Sequence, residues 1–353
     1  MPSLGRLAKI VLGVAISVAS LVYLFWSVDP RDVLARFATT NWTFLAISLA
    51  LNLLSVWIRS WRWYYLFPPG SRPSHLFSAV MIGYMANNIL PLRAGEVVRV
   101  YIASRHGPRF WTSVATLVVE RVLDGLAVGL ILAWLFLTLP IPRELRWPAI
   151  IFLAVDVVAM VALAVIAIAP GGCATLIRVC FHRWARLERR LLDALGTMSE
   201  GLRGVRARRH LLPIAAASVG IWLVLALAVW TALHAAHLDL PLAASWAVLA
   251  FMGLGVSLPS SPGFVGVIQA ATVLALALFS VPRTEALSFS LIFHAAQYFP
   301  VTLFGLVLLL VEHVSLAEAA RGTRSPVASS PRAPRRISCF FCKRPSSPRR
   351  PIP

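Results

Sequence analysis

A hydrocarbon slab about 30 Å thick requires about 20 apolar residues of helix per crossing. This sequence supplies that length six times, at roughly 7–26, 43–66, 113–139, 147–169, 211–236 and 284–311. No other feature restricts the fold so tightly, because inside lipid each peptide group must be satisfied within its own helix. Two further apolar runs stop short: residues 76–90 halt at Leu90-Pro91 and residues 244–258 at Leu258-Pro259, each followed by a second apolar or amphipathic stretch. The fold class predicted is an all-α polytopic membrane protein with about six full spans plus two broken or re-entrant hairpins. Composition agrees, with 59% hydrophobic and 13% charged residues, against about 45–50% and about 25% in soluble domains. The first stretch is too long for a signal-peptide core and has no small-residue cleavage site before Val28-Asp29-Pro30, so it reads as a retained anchor.

The net charge is +19, and of 33 basic residues only Lys9 and Lys343 are lysine. In a soluble chain that excess would suggest nucleic acid. Here it concentrates in Arg178–Arg209 and Arg321–Arg350, the pattern of cytoplasmic segments facing anionic lipid headgroups, so no nucleic-acid partner is expected. Arg6 and Lys9 place the N-terminus inside; Arg59, Arg62 and Arg72 place the end of the second span there; residues 27–42, 140–146 and 237–243 are nearly neutral, as external loops should be. The chain thus reads as a multi-pass protein of the plasma or inner membrane with both termini cytoplasmic. Parity then requires each broken region to leave on the side it entered, 76–112 from the cytoplasm and 244–282 from outside; two full crossings per region satisfy parity as well.

Leu90-Pro91-x-x-x-Gly95 and Leu258-Pro259-x-x-x-Gly263 match at an offset of 168 residues, as do Ala79-Val80 and Ala247-Val248. Each half reads span, span, broken hairpin, span, and the halves enter from opposite faces. That is the plan of an inverted-topology repeat, in which sites form at broken helices near the midplane. The predicted organisation is a membrane domain over 1–312, with halves 1–139 and 147–312 and a basic cytoplasmic segment 170–210, then a disordered Pro/Ser/Arg tail over 313–353. Within the basic segment, Leu187, Leu191, Leu192 and Leu195 mark an amphipathic surface helix. Trp57, Trp61, Trp63, Tyr64 and Tyr65 read as an interfacial aromatic belt.

A charge at bilayer depth is costly and asks for a reason. Pro91 ends the first broken helix and Gly95 permits the return. Asn87 and Asn88 precede that break, and Arg93, Glu96 and Arg99 follow at steps of three, on one face of a resumed helix. Two arginines around one carboxylate leave a net positive site suited to a phosphate; an interfacial loop with snorkelling arginines is the bland alternative. Glu120, Arg121 and Asp124 stand inside an apolar span, the two acids on one face, able to pair with Arg93, Arg99, Arg59 or Arg62. The second break carries Pro259, Ser260, Ser261, Pro262, Gly263 and Gly266 with Gln269, and a helix resumed from Phe264 would aim its first amides at the break. His294, Gln297 and Tyr298 share one face of the last span. Asp156 stands alone in its span, facing the bundle or carrying a proton.

The absences also count. The sequence has no GxxxxGK[ST] phosphate loop and no HExxH, and the segments outside the bilayer are short for a soluble catalytic domain. Cys173/Cys180 and Cys339/Cys342 fall in predicted cytoplasmic segments, so no disulfide framework is expected. Cys339-Phe340-Phe341-Cys342 is a lone pair with no further ligands. Neither metal nor cofactor is expected.

Arg59-x-x-Arg62-Trp63, Asn88-x-x-Pro91-x-Arg93-x-Gly95-Glu96 with Arg99, Glu120-Arg121-x-x-Asp124 and Pro259-x-x-Pro262-Gly263-x-x-Gly266 together resemble the flippase-like transmembrane family of lysylphosphatidylglycerol synthases, over residues 5–312. In its best-known members this domain is fused to a soluble aminoacyl-transferase and moves the lipid product between leaflets. For a chain with no transferase, the resemblance implies lipid translocation without lipid synthesis. Two positions depart from the family pattern, Gln269 where a Glu is expected and His294 where an Arg is expected; if those positions pair, both charges are softened here. The candidate substrate-binding set is Arg59, Arg62, Asn88, Arg93, Glu96, Arg99, Glu120, Arg121, Asp124, Ser260, Ser261, Gln269, His294 and Gln297. The preferred reading is translocation of an anionic or zwitterionic lipid or lipid-linked intermediate. The alternatives are an intramembrane transferase with Glu96 or Asp124 as base, and a membrane scaffold acting through its basic loop and tail.

Overall fold

In a computed structural model, residue 22 and residues 30–312 are described, apart from 71, 91–92, 106, 140–142 and 258–260. The expected span 7–26 and the tail 313–353, with Cys339 and Cys342, lie outside the described residues, as do Pro91, Pro259 and Ser260. Among the described residues every regular element is helical. A short α1 (Pro30–Thr39) leads into α2 (Trp42–Leu66), whose N-cap Asn41 accepts from the Thr43 and Phe44 amides. The first broken region forms α3 (Leu76–Ile89) and α4 (Gly95–Arg105), followed by α5 (Phe110–Thr138) and α6 (Arg143–Ile168). Three shorter helices, α7 (Pro170–Phe181), α8 (Ala185–Gly201) and α9 (Arg203–Arg206), lead to α10 (Arg208–Ala235). The second broken region is α11 (Leu242–Ser257), a 3-10 turn at Pro262–Phe264 and α12 (Val267–Ala277), and α13 (Arg283–Val311) closes the bundle. Helices α2, α5, α10, α13 and the Ile150–Ile168 part of α6 are long and apolar enough to cross a membrane.

Two apolar cores define two poles. The first gathers Val56, Trp63 and Leu66 of α2, most of α3, Val98 and Ile102 of α4, Val119 of α5, Ile214 of α10 and Leu309 of α13. The second gathers Val128 to Leu135 of α5, Ala226 to Leu233 of α10, α11, α12, and Ala286 to Phe293 of α13. Helices α5 and α10 therefore run from the first pole to the second. Helix α13 runs the other way, and so does α2, whose Leu45 packs with Ala235 and Ile292 near the second pole. Each broken region stays at its own pole: α3 and α4 with 14 and 11 residues, α11 and α12 with 16 and 11, extend at most about 24 Å at 1.5 Å per residue. They are re-entrant hairpins, which decides between the two arrangements that parity permits.

The halves correspond element by element. Starts at 42, 76, 95 and 110 recur at 208, 242, 267 and 283, displacements of 166, 166, 172 and 173. The extra six residues accommodate the turn at Pro262–Phe264. Since α2 and α10 run oppositely, as do α5 and α13, the repeat is inverted.

Helix α6 stands at the periphery, meeting α5 where Gly125 and Gly129 admit Asp156 and Leu153. The amphipathic helix is α8, with Leu187, Leu191, Leu192 and Leu195 half-buried and Arg186, Arg189 and Arg190 exposed. It ends at the first pole, Gly201 lying against Ala115. One expectation fails: Trp57, Trp61 and Tyr64 are exposed as a belt would be, but Trp63 is fully buried. Residues 52, 55, 56, 59, 62, 63 and 66 form one inward stripe of α2, so helical period places Trp63 inside with the arginines.

Candidate functional site

The inward stripe of α2 presents Arg59 and Arg62 one turn apart. Both reach Asp124 on α5, Arg62 Nη2 donating to Oδ1 at 2.8 Å and Arg59 taking Oδ2. Arg62 also donates to Ser218 Oγ on α10 at 3.2 Å. One turn before Asp124, Glu120 receives both Arg99 guanidinium nitrogens, Nη1 at 3.1 Å to Oε1 and Nη2 to Oε2. Arg99 lies 4.2 Å over the Trp63 ring, and the Trp63 indole donates to Thr116 at 3.0 Å. Arg121, on another side of α5, reaches Glu96 of α4 at 2.8 Å. The network thus ties α4 and α2 to α5. Arg62, Arg99 and Glu120 are wholly buried, and removing one partner from such pairs costs about 3–5 kcal/mol.

The first hairpin turns closely. The Asn87 side chain accepts the Gly95 amide at 2.9 Å, and a Cβ on Gly95 would collide with the Gly83 carbonyl and Asn87. Arg93 precedes α4 with φ 55, so it does not share a helix face with Glu96 and Arg99 as expected; only the latter two sit on α4, 3.7 Å apart.

The tip of the second hairpin meets the tip of the first. Gly263 packs on the Tyr298 ring and lies 3.4 Å, measured from an added Cβ, from the Asn88 carbonyl. Tyr298 donates to that carbonyl at 3.3 Å, and Asn88 Nδ2 donates to Thr302 at 2.8 Å. Arg93 stands 5.7 Å over the Phe264 ring. Arg93 and Phe264 both hold left-handed backbone, φ 55 and 57, which costs non-glycine residues about 1–2 kcal/mol each. Helix α12 begins at Val267 and not at Phe264, because Gly263 and Gly266 carry φ of 69 and 86, outside the helical region. The Gly266 amide, expected to await an anion, is taken at 2.7 Å by Gln269 Oε1. The other end of that amide meets His294 Nδ1 at 2.9 Å. The two positions noted for neutral residues are therefore in contact, as an amide–imidazole pair.

Between the tips lies a cavity of about 250 Å³. Of the residues singled out in the sequence, Arg59, Asn87, Asn88, Arg93, Glu96, Arg121, Gly263, His294, Gln297 and Tyr298 line it. Arg62, Arg99, Glu120 and Asp124 form the charged wall behind Arg59 and Arg121. Gln269 stands behind His294. Ser261 instead donates to the Val265 carbonyl at 3.3 Å. Asp156 lies against Gly125, one residue past Asp124. The cavity sits at mid-height: the midpoints of α2, α5, α10 and α13 are residues 54, 124, 221–222 and 297, and the lining residues Asn52, Arg121, Leu225 and Gln297 lie within four residues of them, about 6 Å along a helix.

Asn52 and Tyr84 also line the cavity and went unread in the sequence. Asn52 donates to Gln297 at 2.9 Å, closing the wall between α2 and α13. Both are polar but uncharged residues within apolar helices, so a rule that asks only about charges passes over them.

A family model described as the lysylphosphatidylglycerol synthase TM region matches residues 10–305. Glycosyltransferase AglD of Haloferax volcanii is 24% identical over 355 aligned positions, covering 90% of this chain and 57% of that relative's length. No solved structure matches the chain significantly.

Proposed function

This chain belongs to the lysylphosphatidylglycerol synthase TM region family, and on that premise we propose that it moves a phosphate-bearing lipid, or a lipid-linked intermediate, between leaflets. The observation that carries the proposal is the polar cavity at mid-height, bordered by the two re-entrant tips and lined by Arg59, Arg93 and Arg121. A headgroup at that depth leaves water, and guanidinium groups replace the hydration of its phosphate. The acyl chains remain outside the bundle in lipid, so only the headgroup needs a path. Opposed hairpins supply two gates around one site, as alternating access requires. The pole that carries Arg72, Arg109 and the arginines of α7–α9 faces the cytoplasm in this reading, and the exposed arginines of α8 rest on anionic headgroups there.

Reconstitution in proteoliposomes with a headgroup-labelled lipid tests this. Arg93→Ala and Glu96→Ala should each slow leaflet transfer at least tenfold, the loss of one charge-assisted contact of about 1.5–3 kcal/mol. Unchanged transfer in both variants rules the reading out. The name of the Haloferax relative favours a second reading, an intramembrane transferase acting on a lipid-linked substrate. Product formed by the purified protein in detergent, with no bilayer present, distinguishes it.

A further inference from the structure

One carboxyl group of the bundle stands apart from the charged wall. Asp156 lies at the centre of α6 and against Gly125 of α5, one residue past the midpoint of that helix, so it sits at mid-height. A Cβ on Gly125 would collide with Asp156 Oδ1; the missing side chain is the notch that admits the carboxyl group. Val155, Val157 and Val158 are exposed, and helical period turns Asp156 away from them, towards α5. Among the described residues Asp156 makes no ion pair and no hydrogen bond, and its Oδ2 is shielded from solvent. A lone carboxylate at bilayer depth is costly, and a proton removes the charge.

Helix α6 packs chiefly on α5, α7 and α8. Helices α7 and α8 follow its first-pole end, where Leu163 and Ile166 join that core. They bring Arg178, which is exposed, and the half-buried Glu188 and Glu200; the other charges of α8 are exposed. On α5 the ionisable neighbours of the notch are Asp124 and Arg121. Asp124 already takes Arg59 and Arg62. Arg121 precedes Gly125 by four residues, on the same side of the helix, and lines the cavity. Its Nη2 lies 2.8 Å from Glu96 Oε1, yet neither that nitrogen nor Nε makes an aligned hydrogen bond. Arg99, by contrast, donates twice to Glu120. Arg121 is held on Glu96 by charge alone.

Resting on the translocation reading, we propose that Asp156 is a proton-binding site and that its proton decides which carboxylate Arg121 serves. With the proton on, Asp156 is a neutral acid and Arg121 stays on Glu96, the arrangement in the structure. With the proton released, Asp156 is a second anion one turn along α5, and Arg121 turns towards it. Glu96 then loses that partner, and the tie from α4 to α5 rests on Arg99 and Glu120. The step is a single proton gained or lost by one carboxyl oxygen in exchange with water, and no other bond changes. A ligand shifts an equilibrium only by binding one state better. The proton does so because the arrangement with Arg121 on Glu96 is the one that leaves Asp156 without a cation.

The full chain in phosphatidylcholine vesicles tests this with protons as the ligand. Its infrared spectrum should show the C=O band of a protonated carboxylic acid that is lost as pH is raised, and Asp156→Asn, a neutral isostere, should lack that band. At the alkaline end, amide exchange in α4 should run severalfold faster in the unaltered protein than in Asp156→Asn at the same pH, and the two should agree at the acid end. An unchanged band in Asp156→Asn, or equal α4 exchange at both ends, overturns the assignment. Gly125→Ala displaces the carboxyl group without removing it and serves if the first variant does not fold. It should shift the pH at which the band is lost, and an unshifted band is equally fatal. Leaflet transfer of a headgroup-labelled lipid separates this proposal from the one it rests on. Absent transfer, with the band and the exchange response present, removes the translocation reading and leaves the proton site. Transfer with the same pH profile in the unaltered protein and Asp156→Asn removes the coupling and leaves the translocation reading.

Discussion

Helix α3 is held in the apolar core of the first pole, and α4 is tied to α5 by charge as well, through Arg99 on Glu120 and Arg121 on Glu96, with Trp63 of α2 stacked beneath Arg99. Their counterparts α11 and α12 are held by apolar packing and by one neutral contact, Gln269 on His294. The hairpins are nearly equal in length, 14 and 11 residues against 16 and 11, and the repeat relates their positions. The inverted repeat thus supplies matched shapes with unmatched restraints. Breaking one side of a buried ion pair costs about 3–5 kcal/mol, whereas a neutral hydrogen bond contributes about 1 kcal/mol net. The first hairpin is therefore the stiffer wall of the cavity, and the second is the one displaced at lower cost.

The largest expected effect is at Glu120. Glu120→Ala leaves Arg99 buried without the carboxylate that takes both its guanidinium nitrogens, and should cost about 3–5 kcal/mol, read as loss of monodisperse protein and a lowered Tm in detergent. His294→Ala in the second half should cost about 1 kcal/mol. Equal losses would erase the contrast between the hairpins. Next come the glycines. Gly95→Ala meets the Gly83 carbonyl and should cost about 1–3 kcal/mol through overpacking. At Gly255 the added Cβ meets Val267 and Ala271 at 3.1 and 3.3 Å, and a smaller drop in Tm is expected. Gln269→Ala removes the Gly266 and His294 contacts. It should speed amide exchange in α11 and α12 severalfold while leaving α3 and α4 unchanged. The smallest effect belongs to the double change Gln269→Glu with His294→Arg, which installs an ion pair whose net stabilisation is close to break-even. Slower exchange at α12 together with slower leaflet transfer would tie the rate to the looseness of this hairpin; slower exchange with an unchanged rate would separate them.

Much of the site was legible because helical spacing is local. Glu120 and Asp124 lie four apart and do share the face that meets α2, and His294 and Gln297 do line one cavity. The misreadings arose where the backbone leaves the helical region. Arg93 was assigned to a face it does not occupy, since its left-handed φ sets it before α4. The spacing aims the first amides of the second resumed helix at the break, yet a side chain three residues on caps one of them. Trp63 was assigned to the lipid interface by residue type, although the period of Asn52, Ser55, Arg59 and Arg62 already pointed it inward.

From the sequence alone followed the lengths of the spans, the places where two of them break, and the reversal of the second half. Bilayer thickness, the missing proline amide and charge bias between loops act on a few residues at a time, so a linear chain displays them. The tertiary structure decided which arginine each carboxylate takes, across separations of 65 residues for Arg59 and Asp124 and 21 for Arg99 and Glu120. It also decided that the tips of the two hairpins meet, with Asn88 near Gly263 and Arg93 over Phe264. Such pairings depend on how helices of opposite direction pack, and residues distant in sequence become neighbours only when both halves of the bundle have closed on each other.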